Sequence, residues 1–262
     1  MSSKLPPLKE EEIEVSDLRK KTRRSFLTAG IFGLLGVISI RGLLNMEKDR
    51  GIPWLLRKLN DLTDSFWNAN SRDKALVAEV KPDGKPFRVN GDVGLEAAID
   101  ESAWRLHVED PSLDEPLQIS IQEIRKLPAT KMSFDFKCIE GWSQAIECRG
   151  VKLSDFMQAY QIGRSDWSED DIEYRHPFAA LTSVNGGYYV SMDANSFWHP
   201  QTLLCYEING QALTAEHGAP LRLMSAVKYG VKNIKQIGKI AFVSSPPADY
   251  WAENGYQETL MF

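Results

Sequence analysis

Cys138 and a run of four cations are the residues whose type and spacing offer chemistry. Cys138 lies in FKCIEGWSQAI, beside Gly141 and Trp142. A thiolate at a strand end acts as a nucleophile or a metal ligand, whereas a buried thiol is inert. All three readings stand for Cys138. Cys148 lies ten residues on, too far for a C-x-x-C pair or a zinc knuckle, and Cys205 stands apart. Both read as buried thiols. His107, His176, His199 and His217 show no H-E-x-x-H spacing, so a structural zinc site has little support. Arg222, Lys228, Lys232 and Lys235 fall within fourteen residues, with Gly230 among them. Such a loop suits a phosphate or pyrophosphate, with a solvated basic surface as the alternative. Lys232 and Lys235 are three apart, so a helical turn would set both on one face. His217-Gly218 adds a ring nitrogen and close backbone approach.

The cationic loop stands out against its background. The 262 residues carry 31 Lys and Arg against 36 Asp and Glu, a net charge of -5. That balance argues against wholesale nucleic-acid binding. Without residues 1–45 the counts become 23 and 31, and the body stands at -8. A positive cluster in an acidic body needs a reason. Three cysteines exclude a dense disulfide framework. With 43% hydrophobic and 26% charged residues, the chain is neither fibrous nor a polytopic membrane protein. No glycine-rich dinucleotide or P-loop fingerprint is present.

The elements that must position these groups are short. Trp104, Leu106 and Val108 alternate with Arg105 and His107, as in a half-buried strand. Ser120 with Glu123 forms a capping box, which predicts a helix over 121–127 ended by Pro128. Met132, Phe134, Phe136 and Cys138 share one face of a strand over 131–139, which delivers Cys138 to its end, where Gly141 breaks it. A short helix follows over 153–161. Further strands are predicted at 178–184, 188–192, 203–208, 221–226 and 239–244, with turns at Asn185-Gly186-Gly187 and Asn209-Gly210. Strands dominate, helices are short and no βαβ rhythm appears, so the fold class is α+β with mixed sheets and long loops.

Three segments are expected: 1–45, 46–75 and 76–262. Residues 1–20 are polar and acidic, a composition that favours disorder. In KKTRRSFLTAGIFGLLGVISIRG, Arg23 and Arg24 precede an uncharged stretch from Ser25 to Ile40. It is short for a membrane span and has the proportions of a signal peptide. TRRSFL resembles the twin-arginine export signal. No A-x-A-like cleavage site follows, so an uncleaved membrane anchor is one outcome and a buried amphipathic helix another. The resemblance implies a periplasmic protein exported folded, with its cofactor already inserted. Residues 46–75 read as a linker or amphipathic helical extension. Trp54, Leu55, Leu56, Leu59, Leu62, Phe66 and Trp67 have roughly helical spacing and would lie on the domain or on a bilayer surface.

FKCIEGWSQAI at 136–146, HPQTLLCYEINGQAL at 199–213 and HGAPLRLMSAVKYGVKNIKQIGKIAFV at 217–243 resemble the molybdopterin-binding domain of the sulfite oxidase family. PFRVNG at 86–91 and FAALTSVNGGYY at 178–189 extend the resemblance over most of 86–262. The nearest likeness is to the exported bacterial branch that includes catalytic subunits of periplasmic methionine-sulfoxide reductases. The resemblance implies one molybdenum–molybdopterin per chain, with Cys138 as the metal-binding thiolate. It implies that Arg222 and Lys235, with Lys232 nearby and the backbone of Asn233 and Ile234, grip the terminal phosphate. His217 would contact the pterin, Thr182 would line the pocket, and Asn90 would be an N-terminal cofactor contact.

Two departures narrow the expectation. Ile139-Glu140-Gly141-Trp142-Ser143 replaces the arginine-rich stretch that follows the metal cysteine in animal and plant sulfite oxidases. Their dimerisation domain has no counterpart, which favours a monomer. The expected reaction is therefore oxygen-atom transfer at sulfur, by reduction of a small or protein-bound sulfoxide. Sulfite dehydrogenation remains an alternative, with Arg149 or Arg175 entering the pocket. A cofactor-free binding module and a cysteine-only thiol enzyme are further alternatives. Without a haem-binding C-x-x-C-H, electrons must pass through a separate redox protein, for which a membrane, haem-containing, quinone-linked subunit is the expected partner. Trp142, Tyr188, Tyr189 and Trp198 are candidates for a substrate funnel, with packing as the other reading.

Overall fold

The structure, a computed structural model, describes residues 41–42, 45–49, 52–59, 62, 76–96, 98–168 and 172–256. The expectations for residues 1–40 lie outside these. The chain divides into two units, Met1–Asp49 with Pro53–Lys58, and Arg50–Ile52 with Leu59–Phe262. In the first, residues 54–58 are helical, Trp54 and Leu55 are exposed, and the Lys58 ammonium lies 5.3 Å from the Trp54 ring centroid. Among the described residues no helix is long and apolar enough to cross a membrane.

The second unit carries two five-stranded sheets and a few short helices, an α+β architecture. Its elements are β1 (Arg105–Glu109), β2 (Leu117–Ser120), α1 (Ile121–Lys126), β3 (Thr130–Lys137), β4 (Ser143–Lys152), α2 (Leu153–Tyr160), β5 (Phe178–Ser183), β6 (Tyr189–Asp193), α3 (Ala194–Phe197), β7 (Thr202–Ile208), β8 (Gln211–Ala212), β9 (Arg222–Ser225), β10 (Ile237–Val243) and α4 (Tyr250–Glu253). One sheet runs β2-β1-β10-β5-β6, with β10 parallel to β1 and the other pairs antiparallel. The other runs β8-β7-β4-β3, and β9 also pairs with β7.

The expected local signals form. Ser120 Oγ accepts from the Glu123 N–H, and Glu123 Oε2 accepts from the Ser120 N–H, so the capping box closes. Leu106 and Val108 are fully buried while Arg105 faces solvent. Asn209 and Gly210 both take positive φ (51° and 73°), which matches the tight hairpin turn from β7 into β8.

β7 is buried on both faces. Its alternation sends Leu204 and Tyr206 into one core, which also holds Val151, Phe156, Leu181 and Phe242. Leu203 and Cys205 enter a second core with Phe87, Phe134, Phe136, Ile146 and Cys148. Each fully buried large apolar side chain contributes about 1.5–3 kcal/mol relative to exposure. This second core backs the hairpin that carries Cys138.

β4 meets β7 through a register irregularity between Arg149 and Gly150. A Cβ on Gly150 would lie 2.1 Å from the Leu204 carbonyl oxygen. Backbone cannot yield as a flexible side chain does. Gly150→Ala is therefore expected to destabilise the domain by roughly 2–3 kcal/mol, measured from the denaturant midpoint at unchanged m-value. A shift below about 0.5 kcal/mol, the usual size for an innocuous surface change, would contradict this packing.

Candidate active site

Cys138 immediately follows β3. Its N–H donates to the Trp142 carbonyl (2.9 Å), and the Gly141 N–H donates to the Cys138 carbonyl (3.1 Å). Gly141 has φ +86°, a left-handed conformation that glycine takes without strain. The turn thus presents Cys138, 7% exposed, to a cavity of about 370 Å³. Asn90 Nδ2 donates toward Cys138 Sγ at 3.6 Å.

The cavity is also lined by Asn90, Arg222, Asn233, Ile234 and Lys235, so six of the nine sequence-selected residues meet around one space. Arg222 is only 1% exposed. Its Nη1 donates to the His217 carbonyl (2.9 Å) and its Nη2 to the Asn233 carbonyl (3.1 Å). Its Nε has no acceptor among the described residues. No described carboxylate is bridged to this guanidinium. Burial pulls its pKa down, yet arginine keeps its proton in proteins. The result is a buried cation beside the cavity with no carboxylate partner among the described residues, favoured only by the nearby Cys205 and Cys148 sulfurs.

Lys235 supplies a second cation. Its ammonium donates to the Asn90 and Gly91 carbonyls, both at 2.8 Å. Burial first, and then the Arg222 charge, lower its pKa to about 8. The Asn233 side chain fixes the loop between these cations. Its Oδ1 accepts from the Ser225 N–H (2.5 Å), while Nδ2 donates to the Lys228 and Tyr229 carbonyls.

Three expectations are corrected by geometry. Lys232 does not share a face with Lys235, because the 3-10 turn ends at Lys232 and Asn233 leaves helical geometry. The Lys232 ammonium turns inward to Asp249 Oδ2 (2.5 Å) and the Ser191 carbonyl (3.2 Å). Lys228 likewise meets Asp193 (3.0 Å). Thr182, on β5, lines a separate open depression with Trp104 and His107. His217 sits behind the cavity wall. Its Nε2–H donates to the Phe87 carbonyl (3.0 Å), leaving Nδ1 to accept from the Thr214 hydroxyl (2.9 Å). Burial lowers its pKa and favours this neutral tautomer. Its ring stacks on Phe87 at 5.4 Å.

Trp142 and Tyr188 line the cavity, whereas Tyr189 and Trp198 do not. Tyr189 bonds Glu253, and Trp198 packs 6.0 Å from Trp167 with the Arg175 guanidinium 4.5 Å from its ring. Arg175 is therefore not a pocket cation. Arg149 is not one either, since it pairs with Glu207 at 2.8 Å. The rim arginine is Arg88, 4.7 Å from the Trp142 ring, and Glu140 accepts from Trp142 Nε1 at 3.0 Å. Sequence reasoning passed over Arg88, Glu140, Trp251 and Tyr256 as lining residues. The signals were the nearness of Glu140 to Cys138 in the chain and the place of Arg88 within PFRVNG. Cys148 and Cys205 are fully buried away from the cavity, as expected.

Fold and cavity define a cofactor-binding protein whose one cavity thiol faces a cationic floor. The chain belongs to the oxidoreductase molybdopterin binding domain family, whose model matches residues 92–251. It is 27% identical over 165 residues to the protein-methionine-sulfoxide reductase catalytic subunit MsrP of Campylobacter jejuni, covering 61% of this chain and 55% of that protein. It is 29% identical over 189 residues to the putative protein-methionine-sulfoxide reductase subunit YedZ1 of Azospira oryzae, covering 70% and 68%. Against the catalytic subunit MsrP of Xanthomonas campestris pv. campestris it is 30% identical over 155 residues, covering 57% and 48%. The chain thus spans about half to two thirds of the length of these relatives.

The residues present fit a molybdenum–pterin group. Among the described residues no set of three His, Cys, Asp or Glu side chains could hold a metal. A metal at Cys138 would draw its other ligands from the cofactor, and soft sulfur ligands suit such a centre. The orphaned Arg222 Nε and the Lys235 ammonium suit a phosphate tail.

The low pKa of Lys235 has a signed consequence. Below about pH 8 its ammonium is charged and attracts an anion, and above that pH the attraction fades. Sulfate, whose charge is constant from pH 7 to 9.5, is expected to bind the cofactor-free chain roughly tenfold more tightly at the lower pH, as one charge-assisted hydrogen bond predicts. Thermal shifts with sulfate test this. Lys235→Met should flatten the pH dependence, and an equal slope in both proteins would refute the assignment.

Proposed function

We propose that this chain carries out molybdenum-dependent oxygen-atom transfer at sulfur, reducing a sulfoxide, with one cofactor per chain. The observation that carries the reading is the solitary cavity thiol of Cys138 above the Arg222 and Lys235 cations. Membership of a molybdopterin-binding oxidoreductase family supports it. Relatives named as methionine-sulfoxide reductase catalytic subunits favour sulfoxide over sulfite.

When bound, the cofactor supplies a metal that exchanges oxygen and two electrons with sulfur. The chain binds, orients and shields. Cys138 holds the metal through its thiolate. The Asn90 amide directs an N–H at that sulfur, restricting its orientation and drawing off some of its charge. Arg222 and Lys235 hold the phosphate, with the Asn233 side chain keeping their loop in shape. Lys232 supports this loop from behind rather than offering its ammonium, because Asp249 engages it. Phe87 and Phe136, packed edge to face at 5.1 Å, exclude water from the side of the cavity next to Cys138.

Electrons come from a separate redox protein, for which a membrane, haem-containing, quinone-linked subunit fits the reading. Arg23-Arg24 followed by the uncharged stretch to Ile40 supports export in the folded state and a periplasmic site of action, with the segment kept or removed.

Metal analysis of protein from a molybdopterin-producing host should find one molybdenum per chain, and Cys138→Ala should lose it. With reduced viologen, methionine sulfoxide should be turned over. Asn90→Ala should keep the metal and lose about tenfold to hundredfold in activity. Turnover with sulfite and ferricyanide alone would reverse the assigned direction. Full activity without metal would overturn the enzyme class.

A further inference from the structure

The C-terminal turn enters the cavity wall, although its sequence, DYWAENGY, carries no catalytic motif. Asp249 caps α4 by accepting the Ala252 N–H at Oδ1 (3.1 Å). Its Oδ2 accepts from the Ser191 N–H (2.9 Å) and from the Lys232 ammonium (2.5 Å). Asp249 and Lys232 are only 2% and 1% exposed. One carboxylate therefore fastens together β6, the 230–232 turn and the C-terminal turn. Removing either charge would strand the other in the interior, so the clip holds its three parts in one arrangement.

That clip sets two aromatic side chains. Trp251 is half-buried on α4. Tyr256 packs edge-on against it at 5.1 Å, and the Tyr256 N–H donates to the Trp251 carbonyl (2.9 Å). Both line the cavity that holds Cys138. Exposure rises from Cys138 through Trp251 to Tyr256 at 42%, so Tyr256 stands at the rim and Trp251 beneath it.

The geometry points to Trp251 and Tyr256 as specificity-determining residues which, held by the Asp249–Lys232 pair, set the width of the organic group that reaches Cys138. A sulfoxide must bring its S–O group to the Cys138 end of the cavity while its two substituents stay in the passage. Aromatic walls with few rotatable bonds are stiff and receive an apolar substituent well. A slender alkyl substituent passes, and an aryl group meets the Trp251 ring. The sulfoxide part of this inference rests on the proposed function. The passage width belongs to the chain alone and is measurable without turnover.

The test is alkylation of Cys138 in the full chain from a host that makes no molybdopterin. Rates for iodoacetamide and for a fluorescein-bearing iodoacetamide are read at each cysteine by peptide mass mapping. Cys148 and Cys205, both fully buried, serve as internal controls. Trp251→Ala should raise the bulky-to-small rate ratio at Cys138 by about tenfold, equivalent to about 1.4 kcal/mol of barrier. Tyr256→Ala should raise it less. Asp249→Asn should raise it with both rings intact. An unchanged ratio in both aromatic variants overturns the inference, even where Asp249→Asn fails to fold. So does a parallel rise at Cys148, which would report general loosening. In the loaded enzyme, the kcat/KM ratio of methyl p-tolyl sulfoxide to dimethyl sulfoxide should rise in Trp251→Ala. A parent that reduces neither sulfoxide refutes the proposed activity, while the alkylation ratio still decides the passage.

Discussion

A guanidinium without a carboxylate is the constraint on which this site is built. Arg222 lies wholly inside the protein, steadied by two peptide carbonyls. Burying an unpaired charge is costly, and the cost falls when a partner arrives. Among the described residues no carboxylate pairs with it, and the cavity beside Arg222 offers room for an anion. The carbonyls that steady it belong to His217 and Asn233, so the loops bearing those residues are shaped around the same charge. The free domain is thereby kept in a state that an anion relieves.

The cations of this stretch divide by their partners. Lys228 and Lys232 turn to Asp193 and Asp249 and serve the fold. Arg222 and Lys235 are held by neutral carbonyls, which orient a positive group without cancelling it. Four cations close in sequence thus become two structural pins and two ligand donors. Charge count alone does not separate these roles. The acidic partners do, and they lie on β6 and at the start of the C-terminal turn.

Legibility in the sequence follows the range of the interaction. The Ser120–Glu123 capping box, the Asn209-Gly210 turn and the alternation of β3 are local, and each forms where the residues indicate. Cys138 is readable because a period-two strand ends beside a glycine. The role of Lys232 is hidden because Asp249 lies seventeen residues away and nothing local links them. His217 is visible as a ring beside a glycine, but its stacking on Phe87 depends on a segment 130 residues earlier. Thr182 occupies a predicted strand, and only the sheet order places it over a different depression. Trp251 and Tyr256 reach the cavity through a non-local ion pair, so no periodicity announces them.

The segment 77–91 forms one wall without joining either sheet. It is stitched down mainly by side chains: Gln201 to Val77, Gln144 to Pro86 and Arg88, His217 to Phe87, and Lys235 to Asn90 and Gly91. Phe87 belongs to the second core, so this strip is pinned to that core as well as by the side chains that hold it. The shape of this wall is therefore set by side-chain chemistry and one buried ring, and not by strand register.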